Sequence, residues 1–296
     1  MLAVYKKELR SYFTSMIGWV FMAFLLFFIG LYFMVYGLKS GVTNYSYVYQ
    51  GIEGFFVILL VPVLTMRVVA EEKRQKTDQL LYTAPVSIEK IIAGKYLALL
   101  TLFGIAMAVA SLYPLLFHHL VSKVATGTES VDYAIAYGST LGFFLLGAAY
   151  IAIGMFISSL TESQLIAAVV SGVVMIFTYL MTNIAELLPS GHAFNFWFFA
   201  GLIVVIAVGL AFWIHNTFLA LILGVVMEGG LVAVFVWGTT HFDNLLGKIL
   251  SAVSITDRYS NFCLGIFDVS ALVYYISVAF LFVFMTIQRI KKKRFN

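Results

Sequence analysis

The sequence predicts an all-α fold of the polytopic membrane class, a helical bundle of about eight spans, and three observations carry that reading. Of the 296 residues, 62% are hydrophobic and only 11% are charged, against roughly 25% charged in soluble domains. The mean hydropathy is +1.00. The apolar residues are gathered into runs near the roughly 20 residues a helix needs to cross about 30 Å of hydrocarbon. Such a chain has too little polar surface to coat a globule, so hydrocarbon is its expected solvent.

The first segment, Met1 to Arg10, is charged, and the long apolar run after it lacks a small-x-small cleavage site. No removable signal peptide is expected. Leu2, Tyr5, Leu9, Tyr12, Phe13 and Met16 recur at helical spacing, while Lys6, Lys7, Glu8, Arg10 and Thr14 occupy other faces. Residues 1–16 therefore read as an amphipathic helix in the membrane interface, a plain basic flank being the alternative. Spans are expected at Gly18 to Tyr36, Ile52 to Val69, Leu97 to Phe117, Ala134 to Ile157, Leu165 to Asn183, Phe196 to Ile214, Thr217 to Trp237 and Val269 to Ile287. The junction Ile214-His215-Asn216-Thr217 is so short that six spans plus a hairpin is the alternative, with the same parity.

An even count puts both termini on one side, and the 18 Lys and Arg residues choose it. On this assignment only Lys39, Lys123, Lys248 and Arg258 fall outside, and the rest, with the Lys291-Lys292-Lys293-Arg294 run, lie on the cytoplasmic side. The pI near 9.0 thus reports topology and anionic lipid rather than nucleic acid. The single cysteine, Cys263, permits no intrachain disulfide and reads as a small packing residue.

The long charged stretch between spans is Arg67 to Lys95. It offers a charged helical turn, then apolar Leu80, Leu81 and Tyr82, a break at Pro85 and Ser87 as an N-cap for the helix from Ile88. A short helix of this kind can seat its apolar face in a groove of another protein while the charges fix register. A merely solvated, orientation-holding loop is the plainer reading.

Three stretches decide between the two: Glu72-Lys73-Arg74 with Thr77, Leu80-Leu81, Thr83-Ala84-Pro85-Val86-Ser87 and Gly94-Lys95; Gly154-Met155-Phe156-Ile157-Ser158-Ser159-Leu160-Thr161-Glu162-Ser163-Gln164; and Gly265-Ile266-Phe267-Asp268 with Tyr274-Tyr275. Together they resemble type-2 ABC transporter permeases, in particular the branch that includes gliding-motility and multicopper-enzyme-maturation permeases. Lys76 and Gln79 depart from the family pattern, which often has Gly before the threonine and Glu at the later position.

The resemblance implies a single permease domain over residues 1–296, with a cytoplasmic coupling segment at 70–95 and an outer segment at 238–268. It implies an exporter in a bacterial cell membrane, built from two permeases, this chain with a second copy or a paralogue, and two separate ATPase subunits. An external accessory protein is a further partner it allows. The ATPase-docking residues it implies are Glu71, Glu72, Lys73, Arg74, Thr77, Gln79, Leu80, Leu81 and Pro85, with Thr161 and Glu162 as a minor cytoplasmic contact. No Gly-x-x-x-x-Gly-Lys-Ser/Thr loop occurs in the chain, so ATP and Mg are expected on the partner, with no cofactor in this chain and no catalysis by it.

Glu228 stands mid-span beside Gly229-Gly230, where an unpaired carboxylate in lipid costs at least about 2.5 kcal/mol. It reads either as part of a substrate or proton path or as a hydrogen-bonded structural glutamate. A secondary transporter using Glu228 is the rival function, although no internal repeat supports it. Glu53 is expected at headgroup depth. His118, His119, His192 and His241 lack ligand spacing, so no metal site is expected.

Overall fold

The computed structural model describes residues 1–39, 44–77, 86–116, 119, 132–189, 191–214, 217–238 and 243–295. Every regular element among them is helical. Seven helices are long and apolar enough to cross a membrane, while the apolar stretch Leu221–Trp237 is shorter. The chain forms two compact units, Met1–Tyr179 with Arg258–Asn296, and Leu180–Asp257.

The first unit starts with α1 (Leu2–Thr14), which ends where Ser15 turns extended at φ −91° and ψ 153°. The corner into α2 (Met16–Tyr32) is held by Trp19, whose indole N–H donates to the Phe13 carbonyl at 2.8 Å. A π-helical turn, Phe33–Lys39, extends α2. The second span is segmented: α3 (Ser46–Phe55), a π-helical turn at Phe56–Leu60, and α4 (Val61–Thr65), with Pro62, which has no N–H to donate, just after the π-helical turn. Turns over 66–69 lead to the short α5 (Ala70–Arg74). The third span, α6 (Ile88–Ala110), begins well before Leu97, at the N-cap position Ser87. The Ser87 carbonyl accepts from the Lys90 and Ile91 amides, but its hydroxyl makes no capping bond.

The fourth span, α7 (Tyr133–Leu160), is the central and most buried of the spans. Asp132 caps it by accepting from the Ala134 and Ile135 amides at 2.8 and 3.3 Å. In a membrane, apolar area gains little by leaving lipid, so close van der Waals packing does the holding. Gly154 shows how close: a Cβ there would lie 2.2 Å from Thr65 Oγ1. Phe56, Phe103 and Phe143, all fully buried, form a cluster with centroids 4.8 to 6.2 Å apart, Phe56 stacked on Phe103 and both tilted against Phe143, and Tyr49 and Tyr259 flank Phe143 at 5.1 and 6.3 Å.

The last span, α13 (Val269–Phe295), lies against α7 and follows the short α12 (Ser260–Cys263). Asp268 caps it, accepting from the Ser270 and Ala271 amides and from the Asn261 amide nitrogen at 2.8 Å. Arg258 sits over the Tyr274 ring, 4.2 Å from its centroid. Along α8 (Gln164–Leu187), Leu165, Val169, Val173 and Phe177 recur on one exposed face, as a lipid-facing helix requires.

The second unit consists of the end of α8, then α9 (His192–Ile214), α10 (Thr217–Trp237) and α11 (Leu245–Val253). α9 and α10 pack on each other, with Phe196 and Phe235 4.5 Å apart. The Asn195 side chain, fully buried, accepts from the Leu246 amide at 3.2 Å and so ties α11 to α9.

Candidate functional site

α5, the start of α6, the end of α7 and α1 converge at one end of the first unit. Lys95, one turn and more into α6, is the only lysine among the described residues that is 2% exposed or less. Its ammonium lies 2.8 Å from Glu72 of α5, 3.2 Å from Glu8 of α1, and donates to the Val68 carbonyl at 3.0 Å. Lys7 approaches both carboxylates at 3.6 Å. A buried ammonium needs this saturation of its three protons, since an uncompensated charge there would cost several kcal/mol, on the order of 3 to 5.

The second knot joins α5 to α7. The Ser158 hydroxyl accepts from the amides of Val69 and Ala70 at 3.3 and 3.2 Å and donates to the Met66 carbonyl at 3.0 Å. Those amides open α5 and lack intrahelical acceptors, so one hydroxyl serves both sides of the turns at 66–69. Lys73, also buried, donates to the Ser159 carbonyl. Arg67 pairs with Glu71 at 2.5 Å, and Gln75 donates to the same carboxylate at 3.1 Å.

α1 is seated on α6 by a close approach at Gly94, where a Cβ would stand 3.2 Å from the Met1 carbonyl oxygen and 3.3 Å from the Tyr5 nitrogen. The Tyr5 and Thr101 hydroxyls hydrogen-bond at 3.0 Å. Between α1, α5 and α6 lies a polar cleft of about 340 Å³ lined by Glu8, Tyr12, Arg67, Glu71, Glu72 and Lys95 among others. Burial, and next the Glu8 carboxylate, push the Tyr12 hydroxyl well above its ordinary value, so it faces the cleft as a neutral group.

Of the residues singled out in the sequence, Glu71, Glu72, Lys73 and Arg74 all fall on α5, and Thr77 follows it, its amide bonded to the Glu72 carbonyl at 3.0 Å. Gln79, Leu80, Leu81 and Pro85 lie outside the described residues. Thr161 and Glu162 stand between α7 and α8, where the Thr161 hydroxyl accepts from the Ser163 amide at 3.1 Å; their chain neighbours Ser158 and Ser159 are the ones that hold α5. Sequence reasoning missed Lys95, Glu8 and Ser158 as parts of one site. The signal was a lone lysine inside an apolar helical run and a Ser-Ser pair at the end of another. Glu53 differs from expectation: it is 6% exposed, because α3 starts at Ser46 and carries it inward, within electrostatic reach of Tyr259 and Cys263. Glu228 lies in the second unit, half-buried beside an apolar cavity of about 620 Å³ between α9 and α10. Among the described residues no three His, Cys, Asp or Glu side chains are grouped to hold a metal ion.

The family described as ABC-2 family transporter protein matches residues 2–194, well over half of the chain and all of the elements that meet at Lys95. The chain belongs to the ABC-2 transporter family. This ABC-2 chain is accordingly a multi-pass membrane protein and a permease component of an ABC transporter, a transport part rather than a catalyst. The family assignment stops short of the branch that the sequence motifs suggest. No curated protein and no solved structure matches the chain significantly. The ABC-2 match ends just after α9 begins, so α10 and α11 of the second unit lie beyond it.

Proposed function

We propose that this permease works in a bacterial cell membrane as the membrane-spanning subunit of an ATP-driven exporter, with both termini cytoplasmic. A separate ATPase, carrying ATP and Mg, docks on Glu71, Glu72, Lys73, Arg74, Thr77, Gln79, Leu80, Leu81 and Pro85, with a minor contact at Thr161 and Glu162. The chain pairs with a second copy or a paralogue. An external accessory protein is a further partner, and Glu228 lies on the substrate path.

One observation carries the reading: Lys95, buried in α6, binds Glu72 of α5 and Glu8 of α1 at once. Force applied just beyond Thr77 reaches α5 first. The Lys95 ion pairs pass it to α6 and α1, and the Ser158 bonds pass it to α7. Packed helices transmit such displacements because their interfaces switch between discrete arrangements rather than yielding smoothly. Family membership favours this engine-driven reading over secondary transport through Glu228.

The test is affinity purification of the full chain from its own membrane, identification of co-purifying subunits and assay of their ATP hydrolysis. Leu80→Asp with Leu81→Asp should detach the ATPase or uncouple it. Unchanged association and transport in that variant would remove the docking assignment. Solute movement by the isolated chain down an ion gradient, abolished by Glu228→Gln, would replace the proposal with the secondary-transport reading.

A further inference from the structure

The outward face of α1 carries a feature that ATPase docking does not use. Lys6, Lys7 and Arg10, all exposed, line an open cavity of about 460 Å³ together with Ser11 and Thr14, and no carboxylate borders it. Lys7 is partly drawn away by Glu8 and Glu72 at 3.6 Å, whereas among the described residues Lys6 and Arg10 have no carboxylate within salt-bridge distance. The Thr14 hydroxyl is committed to the Arg10 and Ser11 carbonyls. What the cavity presents is therefore ammonium and guanidinium donors, the set that holds a phosphate oxygen.

Two neighbours define the phosphate's source. The helix runs directly into the apolar span α2, so the basic stripe lies at the depth where that span leaves hydrocarbon. Beside the stripe, Met16 and Trp19 are 83% and 58% exposed, with Leu2 at 73%. A stripe of cations flanked by exposed apolar and indole side chains fits a molecule with an anionic head and acyl tails, and it fits a free ion poorly.

We propose that α1 is a binding site for the headgroup of an anionic phospholipid, with Lys6 and Arg10 holding the phosphate and Met16 and Trp19 lying against the acyl region. The site is independent of the docking proposal and stands whether or not an ATPase binds. Each Lys or Arg near an anionic surface contributes about fivefold in binding, so two removed together reduce it by tenfold or more, to order of magnitude.

The delipidated full-length protein in detergent is titrated with phosphatidylglycerol, phosphatidylcholine or inorganic phosphate, and bound species are read by native mass spectrometry. Phosphatidylglycerol should be retained in preference to phosphatidylcholine, the Lys6→Gln/Arg10→Gln variant should lose that preference by about tenfold or more, and inorganic phosphate should fail to compete. Thermal unfolding of the variant should match the parent, since both side chains are exposed. A control variant, Arg289→Gln/Lys292→Gln near the end of α13, should lose less of the preference than the Lys6/Arg10 variant, since neither residue borders the α1 cavity. Raising salt should weaken phosphatidylglycerol retention in the parent more than in the Lys6/Arg10 variant. Equal retention by parent and Lys6/Arg10 variant, loss confined to the C-terminal variant, or displacement by inorganic phosphate would each overturn the proposal.

Discussion

The Lys95 ammonium and the Glu72 carboxylate stand 2.8 Å apart although 23 positions separate them along the chain, and Lys95 is 2% exposed while Glu72 keeps 17% of its side-chain surface. The pair therefore spans the boundary between the packed helices and the polar cleft. Its position makes α5 an extension of α6 rather than a free end of the second span.

Removing the cation should be worse than removing the pair. Lys95→Met leaves Glu8 and Glu72 with only the exposed Lys7, 3.6 Å from each, as a shared cation and should lower stability by about 3 kcal/mol. Lys95→Met/Glu72→Gln should recover a large part of that. Unfolding midpoints in detergent compare the three proteins; a double variant less stable than Lys95→Met would refute the shared-cation account.

Ser158→Ala removes the acceptor of two buried amides. The expected loss is about 1 to 3 kcal/mol, and it should be local: hydrogen exchange at Val69 and Ala70 should accelerate strongly while amides in the middle of α7 stay protected. Uniform acceleration along the chain would instead mean that Ser158 acts through global stability.

Gly154→Ala places a methyl 2.2 Å from Thr65 Oγ1 and must push α4 off α7. A cost of about 1 to 3 kcal/mol is expected. Thr65→Ala in the same chain deletes two of the three crowding atoms, Oγ1 and Cγ2, and should restore much of the midpoint.

Asp268 gives a pH signature. The Asn261 side-chain amide, and after it the Ala271 backbone amide, hold its carboxyl below the usual carboxylate value. A group whose folded pKa is depressed contributes stability that is fully present above its unfolded value of about 4 and is lost as pH falls through the folded value. The thermal midpoint should therefore drop on acidification below about pH 4. Asp268→Asn, which keeps a capping oxygen but cannot titrate, should show a shallower drop over that window.

The spans were legible because hydrocarbon imposes a length and a composition on any helix that crosses it. Phe143 and Leu146 of α7 lie in the run expected from Ala134 to Ile157, and Ser87 is at the helix start its neighbours Pro85 and Ile88 imply. The start at Ser46 was not legible, since Tyr47 and Gln50 look like loop residues until packing accommodates them, and the helix expected from Ile88 was not recognised as continuous with the span expected from Leu97. Glu53 was misplaced for the same reason. The convergence of Glu8, Glu72 and Lys95 had no local signature at all: pairing between residues 87 positions apart is decided by how α1 crosses α6, and the sequence displays only the charge at position 95 that such a crossing must satisfy.

The π-helical turn at Phe56–Leu60 bears on how this span tolerates change in length. A turn of that kind accommodates one more residue than the regular helix would. Deleting a single residue from it would restore ordinary winding and leave the downstream residues close to their present facing. Thr65 would stay against Gly154, and the turns at 66–69 would keep the Ser158 hydroxyl. Trimming one residue from the regular helix α3 instead would rotate everything downstream by roughly 100° about the axis and disengage the whole lower end of the span from the helix that holds it.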